Sequence, residues 1–132
     1  MLRKNFLFPA AALLLCVTGC QENFDKRLQR EAREYTAKHC PEEAEAGTTL
    51  DSLSYDVSQR VYTMYYTLSG ENEAVFISSM AYVREGLVER LVQDEKTKTI
   101  KEHDVAFRFV YRSKESKKTI YETTLRPSDY RE

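Results

Sequence analysis

TLDSLSYDVSQRVYTMYYTL, residues 49–68, is the stretch that decides how this chain folds. Two runs rich in Thr, Tyr, Val and Leu, Thr49 to Val57 and Arg60 to Leu68, meet at Ser58-Gln59, and Ser69-Gly70 follows the second. That is the pattern of a β-hairpin. Successive side chains of a strand point to opposite faces. In the second run Tyr62, Met64, Tyr66 and Leu68 therefore share one face, and Val61, Thr63, Tyr65 and Thr67 share the other. The first set is the more apolar and is assigned to the core.

Working outward, Phe24, Leu28, Ala32 and Tyr35 recur at helical spacing ahead of the hairpin. Asn23 or Asp25 can cap that helix, and Pro41 closes it after Cys40. The segment 41–49, PEEAEAGTT, reads as an acidic loop. Beyond the hairpin, Phe76, Met80, Val83, Leu87 and Leu91 form an apolar stripe that predicts one long helix over 72–95, widened by Ile77, Val88 and Val92. Gly86 weakens it by about 1 kcal/mol relative to Ala. After a polar stretch, Val105, Phe107, Phe109 and Tyr111 alternate with Ala106, Arg108, Val110 and Arg112. A last strand, Thr119 to Leu125, places Thr119, Tyr121, Thr123 and Leu125 on one face, and Pro127 ends it. The order αββαββ predicts an α+β two-layer sandwich, a four-stranded antiparallel sheet with two helices on one face.

The N-terminus reads as a targeting segment. Arg3-Lys4 precedes an apolar run from Phe6 to Val17, too short to span a bilayer and suited to a signal-peptide core. Val17-Thr18-Gly19-Cys20 resembles the lipobox of bacterial lipoproteins. The resemblance implies a signal peptide over 1–19, cleavage before Cys20, and acyl chains such as palmitate on the new N-terminus. Each buried methylene contributes ~0.8 kcal/mol, and two or more chains make a firm anchor. The mature chain is then one domain, 20–132, held to its membrane by a tether of about three to five residues. By analogy with other lipoproteins, Gln21 after the lipid cysteine argues for the outer membrane, and Glu22 with Asp25 resembles an export signal for surface display.

Charge and cysteine count narrow the function. Loss of Arg3 and Lys4 leaves 18 basic against 21 acidic side chains, a net of about −3, which argues against a nucleic-acid partner. With Cys16 removed and Cys20 lipidated, Cys40 stands alone and no internal disulfide forms. His39 and Cys40 are neighbours on a helix and point about 100° apart, so they form no dyad by themselves. His103 could meet Cys40 only through tertiary contact. No metal-ligand spacing and no phosphate-binding loop is present, so neither metal nor cofactor is expected. The absent reactive constellations argue against an enzyme; a Cys40-dependent activity and a purely structural envelope role are the alternatives. Tyr65, Arg108 and Arg112 fall on the sheet face opposite the helices. Tyr and Arg are frequent anchors of protein interfaces, so these three are the candidate partner-binding residues. Lys114, Lys117 and Lys118 make a basic turn beside the last strand, as edge strands often do.

Thr48 to Ser52 (TTLDS), the Tyr-rich run Tyr62 to Tyr66 and Tyr111-Arg112-Ser113 together resemble a set of small bacterial proteins of unknown function, many of them lipoproteins. The resemblance spans most of the mature chain. It brings no activity with it; the residues themselves favour a membrane-anchored, non-enzymatic binding or accessory module of the cell envelope, whose partner is an envelope protein or a glycan.

Overall fold

Residues 23–131 are described by the structure, a computed structural model. The first helix, α1 (Phe24–His39), is capped by Asn23, whose Oδ1 accepts from the Lys26 N–H at 2.9 Å. Asp25, the other candidate cap, serves elsewhere. Its carboxylate accepts from the Tyr55 hydroxyl at 2.6 Å and from Arg60 Nε at 3.2 Å. The apolar stripe of α1 delivers Leu28 and Ala32 to the core, and Thr36 fastens the helix to a strand. The Thr36 hydroxyl accepts from the Leu53 N–H at 2.8 Å and donates to its carbonyl at 3.1 Å.

Five strands follow the order β1 (Glu42–Glu45), β2 (Thr48–Asp56), β3 (Val61–Leu68), β4 (Ala106–Ser113) and β5 (Thr119–Leu125) across one sheet. The sheet is mixed: β3 and β4 run parallel, from Val61 beside Ala106 to Leu68 beside Ser113, and the other pairs are antiparallel. This corrects the expected four-stranded antiparallel sheet twice. The acidic segment EEAE, expected to be loop, forms an edge strand because it pairs with the start of β2. The connection 69–105 is a helical crossover, the kind of link that parallel neighbours require.

That crossover holds three helices where one was expected: α2 (Gly70–Ser78), α3 (Met80–Gln93) and α4 (Lys98–Glu102). The break between α2 and α3 falls at Ser79, at φ −110° and ψ 16°. The Ser78 and Ser79 hydroxyls donate back to the Val75 carbonyl at 2.8 and 3.0 Å, a competition with the helix ladder that bends helices. Ile77 and Val92, assigned to the apolar stripe, are exposed. A short helix α5 (Pro127–Tyr130) continues after β5, and its Tyr130 is buried with its hydroxyl on the Val105 carbonyl at 2.7 Å.

One core joins these elements. Leu28 and Ala32 of α1, Leu87 and Leu91 of α3 and Tyr130 of α5 pack against Tyr55, Tyr62, Phe107, Phe109 and Leu125. The helices of the described residues thus lie on the sheet face that the period-two pattern assigned to the core. In β5 the pattern holds for Tyr121, Thr123 and Leu125, which stand beside Tyr111, Phe109 and Phe107. A register shift beyond Tyr111 takes Thr119 off that face, since it pairs with Arg112.

Candidate functional site

Two surfaces of the sheet are candidates, one on each face. The first is the face that carries no helix among the described residues. Tyr65 stands directly beside Val110 in the parallel register, and Arg108 and Arg112 flank Val110 two residues to either side. The two guanidinium-bearing positions therefore bracket the tyrosine, each ~7 Å along β4. Arg108 Nε is tied to Glu122 of β5 at 2.7 Å. Thr67 donates to Asp51 at 2.5 Å beside them. Thr63 and Val110 are only 4% and 5% exposed, although no described helix covers them. Tyr65, Arg108 and Arg112 are half-exposed, so the three candidate residues do share one accessible patch.

The second surface is a groove on the helical face that sequence reasoning missed. Its volume is about 570 Å³, within the usual range for binding sites. The floor is Met64 and Tyr66 of β3 with Phe109 and Tyr111 of β4. One wall is β1 with the start of β2, and the other is α2–α3. It exists because α1 packs on β2 while α3 leans toward β5 and α5, which leaves the middle of β3 uncovered. Met64 and Tyr66 are accordingly half-exposed although they sit on the central strand. The Tyr66 and Tyr111 rings stack at 4.9 Å and 12°, and Phe76 leans on Tyr111 at 4.6 Å. The periodicity of α2–α3 places these apolar positions on one side, but a groove depends on which strands the helices lie over. No local pattern carries that.

Gly47 builds the corner of this groove. It turns the chain from β1 to β2 at φ +81°, and a Cβ there would sit 2.6 Å from the Asn72 Cβ. Its carbonyl accepts from the Ser69 N–H at 3.0 Å, and the Asn72 amide donates to Thr48. Gly86 borders the groove from α3 and has open space where a Cβ would stand.

The histidine and cysteine candidates do not converge. His103 stacks on Phe24 at 3.7 Å and 1°, with Nδ1 2.9 Å from the Thr99 carbonyl. Phe24 is the first residue of α1 and Cys40 caps its other end, about 24 Å away at 1.5 Å per residue. His39 leans on Tyr35, whose hydroxyl donates to Glu42. Burial, with Glu42 and Asp51 nearby, pushes the Cys40 thiol up, away from thiolate character. Among the described residues there is no cluster of metal-ligating side chains, and no helix long and apolar enough to cross a membrane. The signal segment 1–19, Cys20 and the tether lie outside the described residues.

Fold and surfaces together define an α+β sandwich with one sheet face left bare and one groove left in its helical layer. The chain belongs to the family DUF8479, a domain of unknown function, which matches residues 23–121. No curated protein matches it. Two solved structures share its fold. A protein of Pseudomonas aeruginosa described as secreted has a TM-score of 0.69 at 9% identity, over 81% of this chain and 92% of that one. The pilotin of the Vibrio vulnificus type 2 secretion system has a TM-score of 0.65 at 10% identity, over 82% and 92%.

Proposed function

We propose that this chain is a lipid-anchored, non-enzymatic binding or accessory module of the bacterial envelope. It is held at the outer membrane by acylated Cys20 and contacts an envelope protein through the bare sheet face. The observation that carries the reading is the bracketing of half-exposed Tyr65 by Arg108 and Arg112 on a face with no helix over it among the described residues. A tyrosine between two guanidinium groups combines apolar area with directed hydrogen bonding, the composition typical of interface anchors. Likeness of fold to a pilotin and to a protein described as secreted agrees with an envelope setting. The distance between His103 and Cys40 and the raised thiol weigh against a Cys40-dependent enzyme.

Membrane fractionation of wild type and Cys20→Ala, with protease added to intact cells, tests the anchor and its side. Cys20→Ala leaves the membrane fraction; a mutant that stays bound overturns the lipid anchor. Shaving of wild type from intact cells would place the domain outside the cell, and protection until the outer membrane is opened would place it in the periplasm.

A further inference from the structure

We infer that the groove between β1 and α2–α3 is the seat of an amphipathic helix of a partner protein, one with an apolar stripe and basic flanks. The inference rests on the reading of this chain as a protein-binding module but assigns a second, separate surface.

Four observations carry it. The first is elongation. Residues lining the groove recur along α2 from Asn72 to Phe76 and, past the break at Ser79, along α3 from Val83 to Leu91, roughly four turns of helix in two segments. A compact small molecule has no use for that length.

The second is composition. Val75 is 61% exposed at the rim, and Met64 and Tyr66 are half-exposed on the floor, so an incoming apolar stripe finds apolar surface already facing water. Methionine adapts to varied partners. A helix laid on the middle of β3 would complete the helical layer that α1 and α3 leave open.

The third is polarity. Tyr111 is 6% exposed, and its hydroxyl has no hydrogen-bond partner among the described residues. The Tyr66 and Tyr111 hydroxyls lie within electrostatic reach of Arg90 and Glu45 on the groove's rim. A buried polar group is ordinarily satisfied, and Tyr111 borders the groove, the side from which water or an occupant can reach it. The charged lining is Glu45, Asp94 and Arg90, two carboxylates against one guanidinium, which suits basic flanks on the occupant.

The fourth concerns backbone. Aromatic rings and Met64 make the floor and offer no row of backbone donors and acceptors. An extended peptide on that floor would leave its own N–H and C=O groups unpaired except along the free edge of β1, only four residues long, whereas a helix satisfies them internally.

The chain contains no tryptophan, so a probe that carries one reports alone. The probe is an 18-residue Leu/Ala-based amphipathic helix with lysine flanks and one Trp in its apolar stripe. It is titrated onto the acylated full chain in nanodiscs of zwitterionic lipid, with empty nanodiscs as reference. Saturable binding above that reference is expected, with blue-shifted emission. A scrambled peptide should bind at least tenfold more weakly. Gly86→Leu fills the groove from a position with open space and should weaken binding at least tenfold while the melting temperature is kept or raised. Glu45→Lys with Asp94→Lys should reverse the preference in favour of a glutamate-flanked probe. Arg108→Glu with Arg112→Glu should leave the affinity unchanged. Absence of saturable binding, equal binding of the scrambled peptide, or indifference to Gly86→Leu overturns the inference. Loss of binding in the Arg108/Arg112 variant with Gly86→Leu unaffected would overturn it too, while leaving the bare-face reading standing.

Discussion

The two faces of the sheet are built from the same strands and meet opposite demands. On the helical face the strands supply Tyr62, Phe107, Phe109 and Leu125, which need helices to exclude water. On the other face Thr63, Tyr65, Arg108 and Arg112 are residues that tolerate water, and Tyr65, Arg108 and Arg112 are half-exposed. A single residue step along β4, from Phe107 to Arg108, crosses from one regime to the other. The bare face can meet water as it stands, whereas the apolar helical face needs cover. Its layer has a gap over the middle of β3. Stability should therefore reside on one face, and both faces should be available for binding.

Neighbouring substitutions should break or confirm that division. Phe107→Ala removes a ring with 0% exposure and should cost about 3–5 kcal/mol. Arg108→Ala, one residue away, should cost less than about 1 kcal/mol, since its pairing with Glu122 is exposed. Denaturant melts of both variants decide the point, and equal losses would dissolve the contrast.

Gly86, which lines the groove, and Gly47, which turns the chain between its lining residues Glu45 and Thr48, should behave oppositely. Gly47→Ala puts a side chain at a left-handed φ and against Asn72, and should destabilise by about 1–3 kcal/mol. Gly86→Ala adds a methyl group in open space within a helix and should stabilise by about 0.5–1 kcal/mol. Thermal melts of the pair, read against wild type, sharpen the account of how the groove's corner is held.

Tyrosine hydroxyls on the helical side should titrate late. Burial pushes Tyr55 and Tyr62 up to about 12, and the Asp25 carboxylate adds to the shift of Tyr55. Because the folded values are raised, their stabilising contribution is full below pH ~10, the unfolded value, and is lost as pH climbs toward about 12. Asp25 behaves in the opposite sense: the Tyr55 hydroxyl, then Arg60, hold its carboxyl below the ordinary range. Its contribution is present above pH ~4 and disappears as pH falls through the depressed folded value. Tyr55→Phe should flatten both limbs of a stability–pH curve, and an unchanged curve would contradict the pairing.

The smallest effect concerns Cys40. With its thiol pushed up by burial, alkylation by iodoacetamide at pH 8 should run several-fold slower than for a free cysteine. Rapid modification would revive Cys40 as a reactive centre.

Much of this fold was legible from residue order because two signals were strong. The alternation in VYTMYYTL and in VAFRFVYR assigned each strand's faces correctly, since burial on one side imposes a period of two. The α1 stripe announced Leu28 and Ala32 as core for the same kind of reason. What stayed hidden depended on pairing rather than pattern. EEAE carries no apolar period, and only the neighbouring strand makes it β1. The parallel register of β3 with β4 is fixed by where the crossover returns, and the same residues would have alternated in an antiparallel pair. The Ser79 break rests on hydroxyls that bond back to the preceding turn. Of the surfaces, Tyr65, Arg108 and Arg112 were accessible to sequence reasoning because face assignment suffices to bring them together. The groove was not, because it is a gap between elements.

The most direct test of a binding module with two surfaces is site-specific photocrosslinking in intact cells. A photoreactive residue would be placed at Tyr65, at Val83, and at Glu31 on the exposed side of α1. Discrete adducts to envelope proteins at Tyr65 and Val83 and none at Glu31, with the Val83 adduct abolished by Gly86→Leu, are the result predicted here. Absence of adducts at both surfaces, or indistinguishable adducts at all three positions, would contradict it.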